Sequence, residues 1–427
     1  MPLWQAASLM ETITTRHIQA DELGKYIKVP FEVPQNVERV DISYSYSRAQ
    51  GNTIDFALCR GNLHIGAAGS NRSSFWLSEY CSSAGFNQME LTPGEYHIIL
   101  GAYKVAPEGV DVECKITFTF KSLQLLKGDL HAHTTASDGV LSVSQLISLA
   151  KTSKLDFLCI TDHNNEAPYI PPSDRELTVI PGVEWTPLYK GHANFIGARG
   201  ALKMPYHHVE TPEQVRQIFK LAQGASALVS LNHPMCNNCG WHWGFDMEYD
   251  LFEIWNGPPQ ITNLKATEFW HRQLCEGKKI TAVGGSDFHR HTPLGALGSP
   301  TTWVYANSRG ETDILNAIKN GRAFVTFSTE GPTIQINCGD SIMGDTVAFD
   351  EGKPITFAFD NLREGDVITI YHDSGVAKTM TACTKPGITL DIEMGRHMFY
   401  RADVVRRLAD GIPPMPVLIS NPVYIAG

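Results

Sequence analysis

Nine residues able to bind a metal lie in one central stretch of the chain. His131 and His133 alternate in GDLHAHTTASDG, so a strand there puts both imidazoles on one face. Asp287 and His289 repeat that spacing in GGSDFHRH. Between the two pairs lie Asp138, His163 in ITDHN, Glu184 in PGVEW, His192 in KGHANF and His233 in LNHP. Six of the 16 histidines and three carboxylates therefore sit at the polar tips of strand-like runs. Imidazole with carboxylate and no thiolate suits zinc, manganese or iron and argues against a closed structural zinc cage. At about four to six ligands per ion, nine ligands serve two to three divalent transition metals. A lone HxH or a single acid at a strand end is ordinary; the joint occurrence carries the argument.

The elements that must hold these residues are legible from hydrophobic period. From Lys127, the runs LDFLCITDH, LTVIPGVEW, ALVSLNHP, LFEIWNG and KITAVGGSDFH are strand-like, end in polar residues and alternate with helical stretches. That is a β/α rhythm, and the C-terminal ends of its strands are where barrel active sites form. One helix is predicted in detail. Ser142 and Gln145 have capping-box spacing, and Val143, Leu146, Ile147 and Ala150 fall on one face. From Lys28 to Phe120 the period is two, as in VERVDISYSYS, EYHIILGAYKV and VECKITFTF, which predicts a β-sandwich. After Gly331-Pro332 the alternation returns. The expected domains are an N-terminal β-sandwich over 1–121, a metal-binding α/β barrel over 122–330 and a small C-terminal β-domain over 331–427.

Composition narrows the function classes. Hydrophobic residues make up 43% of the 427 and charged residues 19%, which excludes a largely disordered chain. The net charge of −10 offers no general attraction to duplex nucleic acid or to an anionic membrane, so an anionic ligand must be attracted locally. The N-terminus lacks the basic and apolar regions of a signal peptide, and no run of 18 apolar residues follows. Nine cysteines, an odd number scattered along the chain, read as reduced thiols, and the expected location is cytoplasmic. The sequence is compatible with a homo-oligomer.

In this order, HAHTTASDG, TDHN, GVEW, NHP and GGSDFH resemble the PHP (polymerase and histidinol phosphatase) metallohydrolase superfamily. GHANFIG, the Trp-rich stretch after NHP and VGGSDFH resemble its CehA/McbA-type branch. The resemblance covers about half the chain and implies a distorted (β/α)7 barrel with a three-metal centre. Carried over, His131, His133, Glu184 and Asp287 hold the first metal, Glu184, His192 and His233 the second, and Asp138, His163 and His289 the third. A metal-bridging hydroxide is the expected nucleophile, and Glu184, Asp287 and, by its place beside His289, Arg290 are the candidate catalytic residues. Three divalent cations against three carboxylates and a hydroxide leave a charge of about +2, which favours a small anionic ester. The expected activity is a phosphoesterase acting on a small organic phosphate or a nucleotide. The closest rival is a carbamate, amide or carboxylic-ester hydrolase using the same centre. A scaffold in which the metal is only structural is disfavoured by so many thiolate-free ligands.

Other residues invite weaker readings. Arg290 beside His289 is a candidate phosphate ligand. His271 in TEFWHRQL reads better as a half-buried structural histidine than as a general acid, and Asp129 shares strand parity with His131. Cys236-x-x-Cys239-x-x-His242 has zinc-knuckle spacing without a fourth ligand nearby; a loop packed by Trp241 and Trp243 over the active-site mouth is the better expectation.

Overall fold

The computed structural model describes residues 8–165, 174–198, 209–293, 295–383 and 387–427. The chain divides into two compact units, one built on its first 124 residues and one on the remainder.

In the first unit the strands are β1 (Leu9–Ile18), β2 (Tyr26–Val33), β3 (Val37–Tyr46), β4 (Thr53–Arg60), β5 (Leu63–Ala68), β6 (Ser74–Ser78), β7 (Gly94–Lys104) and β8 (Val110–Phe120). They form two four-stranded antiparallel sheets, ordered β1-β8-β3-β6 and β2-β7-β4-β5. The period-two pattern explains the pairing. Along β2 every second residue is buried, and Phe31, Tyr44, Phe56, Tyr96 and Phe118, from both sheets, share one core.

The second unit is mixed α/β. Its strands β9 (Gln124–Asp129), β10 (Phe157–Ile160), β11 (Thr178–Trp185), β12 (His192–Ile196), β13 (Leu228–Asn232), β14 (Leu251–Asn256), β15 (Thr281–Gly285), β16 (Thr301–Ala306) and β17 (Ala323–Thr326) alternate with only four helices among the described residues. These are α1 (Val143–Thr152), α2 (Pro212–Gly224), α3 (Ile261–Cys275) and α4 (Glu311–Lys319). Neighbours follow chain order from β15 back to β9, then β16 and β17. The stretches that follow β9 and β15 meet where Ala132 bridges Phe288 in parallel. Gly285 permits that approach, because a Cβ there would lie 2.4 Å from the Cβ of His131.

The expected β/α alternation is interrupted at β11–β12–β13. These strands pair antiparallel, so β11 returns to β12 through a short loop and needs no crossover helix. Helix α1 follows its sequence. Ser142 accepts from the Gln145 amide, Gln145 reciprocates, Leu146 and Ala150 are buried, and Val143 and Ile147 pack alongside.

Beyond β17 come β18 (Thr333–Cys338), β19 (Ser341–Ile342), β20 (Thr346–Ala348), β21 (Pro354–Asp360), β22 (Val367–His372), β23 (Gly375–Thr381), β24 (Ile388–Glu393), β25 (Phe399–Arg406), β26 (Met415–Ser420) and β27 (Val423–Ala426). One part forms a separate sheet, β19-β18-β21-β24. The rest extends the site-bearing sheet through β17-β26-β25-β22-β23. Asn421 joins the two regions, accepting from the Ala282 amide at 2.7 Å and donating to the carbonyls of Ala282 and Ala323. No described helix is long and apolar enough to cross a membrane.

His271 on α3 belongs to this packing. Its Nδ1 accepts from Arg401 Nε at 3.1 Å, and its ring meets Phe399 edge-on. Burial, and then the charge of Arg401, push its pKa down to about 4. The folded protein thus resists a proton that the unfolded chain accepts near 6.5. Stability is therefore expected to fall as pH drops from about 6.5 towards 4. His271→Gln should show a smaller drop in Tm between pH 7 and pH 5 than the wild type. An identical drop in both would remove His271 from the acid response.

Candidate metal centre

Past the end of β9 the chain stays extended, and His131 and His133 flank the bridged residue Ala132 with both imidazoles fully buried. Asp129 sets this stretch. One carboxylate oxygen accepts from the amides of His131 (3.1 Å) and Ser286 (3.0 Å), the other from that of Gly298 (2.7 Å). It thus ties the His131 segment to the Asp287 segment through backbone, and touches no imidazole nitrogen in doing so.

Glu184, at the buried end of β11, is the hub. Its Oε1 lies 3.3 Å from His131 Nε2, 3.1 Å from His192 Nδ1 and 3.2 Å from His233 Nε2, and accepts from Asn232 at 2.9 Å. Its Oε2 lies 2.9 Å from His163 Nδ1 and 3.5 Å from His133 Nε2. Five imidazoles therefore converge on one carboxylate. Asp287 Oδ1 closes the other side, 3.2 Å from His131 Nε2 and 3.0 Å from His133 Nε2.

Nearer the surface, Asp138 lies 3.1 Å from His289 Nε2 and 3.7 Å from His163 Nε2. Its side chain is 57% exposed, against 25% for Asp287, so the cluster opens to solvent on this side. The loop that carries it is braced by buried Asp162, which accepts at 2.7 Å from the Thr134 amide, the Thr134 hydroxyl and the Ser137 hydroxyl. All nine residues singled out from sequence as ligands thus come together. They form three overlapping groups: His131, His133 and Asp287; His163, Glu184 and His192; and His133, Asp138, His163 and His289. His233 joins through Glu184.

One observation marks the cluster as more than a hydrogen-bond network. Three buried atoms, His131 Nε2, His133 Nε2 and Glu184 Oε2, have no hydrogen-bond partner of proper geometry. Buried polar atoms left so are costly unless something else satisfies them. Three non-glycine residues at the site, Asn164, His233 and Asp287, also take positive φ of 48°, 29° and 50°. Such backbone is uncommon for non-glycine residues, but six of the nine described instances lie elsewhere in the chain, so it accompanies the cluster without marking it.

The electrostatics follow the geometry. Burial opposes ionisation of Glu184, but the charge of His131 and the close approach of the His131, His163 and His192 ring nitrogens hold its carboxyl well below the usual range. His131 is pushed down by burial and up by the nearby Asp287, Glu184 and Glu253 carboxylates; the carboxylates prevail. His133 goes the other way, because burial dominates there. Glu184 and Asp287 thus stay charged, and protons compete with a cation for the buried imidazoles.

Glu253 went unnoticed in the sequence. Its Oε1 accepts from His131 Nδ1 at 2.9 Å, which leaves His131 Nε2 free to offer a lone pair, and its Oε2 accepts from the His233 amide at 2.6 Å. A charged residue inside the wholly buried strand LFEIWN was the available signal. Arg290 is exposed and forms no ion pair among the described residues. Trp241 and Trp243 do not present their faces to solvent. Both are buried in the core with Phe219 and Trp185, where Trp241 stacks on Phe219, so their bulk is structural. His242 is exposed and joins no group of potential metal ligands among the described residues.

No family model matches the chain. Two curated proteins are similar over a short stretch: the 5'-3' exoribonuclease Rnm of Escherichia coli, 39% identical over 70 residues, and that of Salmonella typhimurium, 41% over 71. Each match covers 15% of this chain and 24% of the relative, so the chain spans about a quarter of the length of these curated relatives. Among solved structures, a Bacteroides vulgatus two-domain protein containing a predicted PHP-like metal-dependent phosphoesterase is 18% identical, with a TM-score of 0.41 over 70% of this chain and 96% of that one. A protein of Bifidobacterium adolescentis named as a metal-dependent phosphoesterase is 15% identical, with a TM-score of 0.31 over 44% and 94%.

Proposed function

We propose that the protein is a PHP-type metal-dependent hydrolase, a phosphoesterase acting on a small organic phosphate or a nucleotide. The observation that carries this reading is the convergence of five imidazoles on buried Glu184, with lone-pair atoms of His131, His133 and Glu184 left without hydrogen-bond partners. The donor set is all nitrogen and oxygen, which fits zinc, manganese or iron. His131, His133, Glu184 and Asp287 would hold one ion, Glu184, His192 and His233 a second, and Asp138, His163 and His289 a third. Bound divalent ions would supply a water of lowered pKa and polarise the ester oxygen.

The chain's own residues do the rest. Glu253 fixes the His131 tautomer, Asp129 holds the two ligand segments together, and exposed Asp138 and half-buried His289 line the side from which a substrate enters. The reading carries with it a distorted (β/α)7 barrel over 122–330 between an N-terminal β-sandwich and a C-terminal β-domain; the meeting of Ala132 with Phe288 supports the closure. The short likeness to an exoribonuclease is in keeping with a phosphoester substrate.

The alternative, a carbamate, amide or carboxylic-ester hydrolase, uses the same ligands, so substrate charge must separate the two. We assign Arg290, beside His289, to a phosphoryl oxygen. A panel of p-nitrophenyl phosphates, phosphodiesters and aryl carbamates should show turnover of the phosphoesters with manganese- or zinc-loaded protein. Arg290→Ala should raise KM for them by about tenfold, the size of one charge-assisted hydrogen bond, with kcat nearly unchanged. A neutral carbamate should feel the change little. Equal losses on both classes would take Arg290 out of the site and weaken the phosphoester reading.

A further inference from the structure

The turn after His233 carries two cysteines that the metal centre leaves unused. The Cys236 amide donates to the His233 carbonyl at 2.9 Å, and the Trp241 amide returns to the Pro234 carbonyl at 2.9 Å. Gly240 keeps the turn tight, since a Cβ there would come within 2.4 Å of the Cys236 carbonyl oxygen. As a result Cys239 Sγ lies 3.0 Å from Cys236 Sγ and 3.5 Å from His233 Nδ1. Both cysteines are half-buried, and Asn237 and Asn238 between them are exposed, so a small reagent can reach the pair.

The contact with His233 gives the pair a consequence. A histidine that offers Nε2 to a cation carries its proton on Nδ1, and the orientation of the ring depends on what accepts that proton. For His131 the acceptor is a carboxylate oxygen of Glu253; for His233 with its proton on Nδ1, the atom placed to accept it is the sulfur of Cys239, 3.5 Å away.

We propose that Cys236 and Cys239 form a reversible dithiol–disulfide site whose state sets how firmly His233 is held, an inference that rests on His233 being a ligand of the centre described above. The reaction partner is a low-molecular-weight disulfide such as oxidised glutathione. One cysteine thiolate attacks a sulfur of that disulfide and expels one glutathione thiolate. The second cysteine thiolate then attacks the protein sulfur of the mixed disulfide and expels the other. The two protons released by the cysteines pass to the two glutathione thiolates. Two protein thiols are oxidised and one small disulfide is reduced. Once in the disulfide, Cys239 is a poor acceptor, and His233 loses the partner of its Nδ1 proton.

The test uses the full-length, metal-loaded protein in glutathione buffers of reducing and oxidising poise. Mass analysis of the peptide holding residues 236–239, and metal retention against a chelator, are the two readouts. Oxidising buffer should yield an intramolecular disulfide, two hydrogens lighter and reversed by dithiothreitol, with metal retention about tenfold weaker, as for loss of an outer-sphere partner. Cys239→Ala should retain metal equally weakly in both buffers. Cys239→Ser, whose hydroxyl still accepts, should retain it normally in both.

The proposal is overturned if the thiols stay free or carry only glutathione, or if the disulfide forms without a change in retention. It is equally overturned if the reduced double serine variant lacks one equivalent of metal, since the pair would then be a ligand set. A reduced wild type holding no metal sinks the metal-centre reading, and the coupling with it. The peptide mass then still decides whether the pair is a redox site.

Discussion

Glu184→Gln should strip the protein of at least one equivalent of divalent metal. No other side chain at the site touches so many imidazoles: Oε1 meets His131, His192 and His233, and Oε2 meets His163 and His133. Glutamine keeps the volume and one acceptor oxygen. It removes the negative charge and turns an N–H donor towards nitrogens that must themselves act as acceptors if they bind a cation. Affinity should therefore fall by more than the roughly 100-fold that loss of a supporting outer residue costs. Elemental analysis after metal-replete expression, with chelator competition, is the measurement. A variant that keeps the wild-type complement would take Glu184 out of the centre. Lowering the pH should weaken retention in both proteins, because the carboxylate-raised His131 must give up its proton to bind.

Asp287→Asn should abolish turnover while leaving the fold in place. Asp287 adopts φ of +50°, a conformation that asparagine tolerates better than most residues, so the substitution changes charge without adding backbone strain. What is lost is the anionic oxygen 3.2 Å from His131 Nε2 and 3.0 Å from His133 Nε2. By the measure of losing a major electrostatic stabiliser, kcat should drop on the order of 10³-fold with little change in Tm. Asp287→Ala is the contrast. It forces a methyl side chain into the left-handed region and should lower Tm as well. Turnover of Asp287→Asn within tenfold of wild type would place the chemistry elsewhere.

Most of the ligand residues could be chosen from sequence because they sit where a buried apolar run gives way to polar residues; His192 instead opens its strand, and Asp138 lies in the loop after His133. HAH, DH, VEW, NHP and SDFH are short, chemically conspicuous and bounded by strand patterns. Helix α1 was equally legible, since its capping box and apolar face are local properties of ten residues. Strand order was not. A fully buried strand reads as one apolar run whether its neighbour is parallel or antiparallel, so the reversal at β12 left no mark in the sequence. Trp241 and Trp243 misled for a related reason: an aromatic pair in a polar loop looks exposed until the core that receives it is known.

By itself the sequence determined the identities of the candidate ligands, the absence of thiolate among them and the change from period two to mixed texture at about residue 121. Tertiary structure alone decided that Glu184 is the hub, that Asp129 bonds backbone, that Glu253 sets the His131 tautomer and that Cys239 stands behind His233. The division has a physical cause. Periodicity and residue type are read along the chain, whereas Glu253 and His131 are 122 residues apart and meet only because the ends of their strands converge at one site.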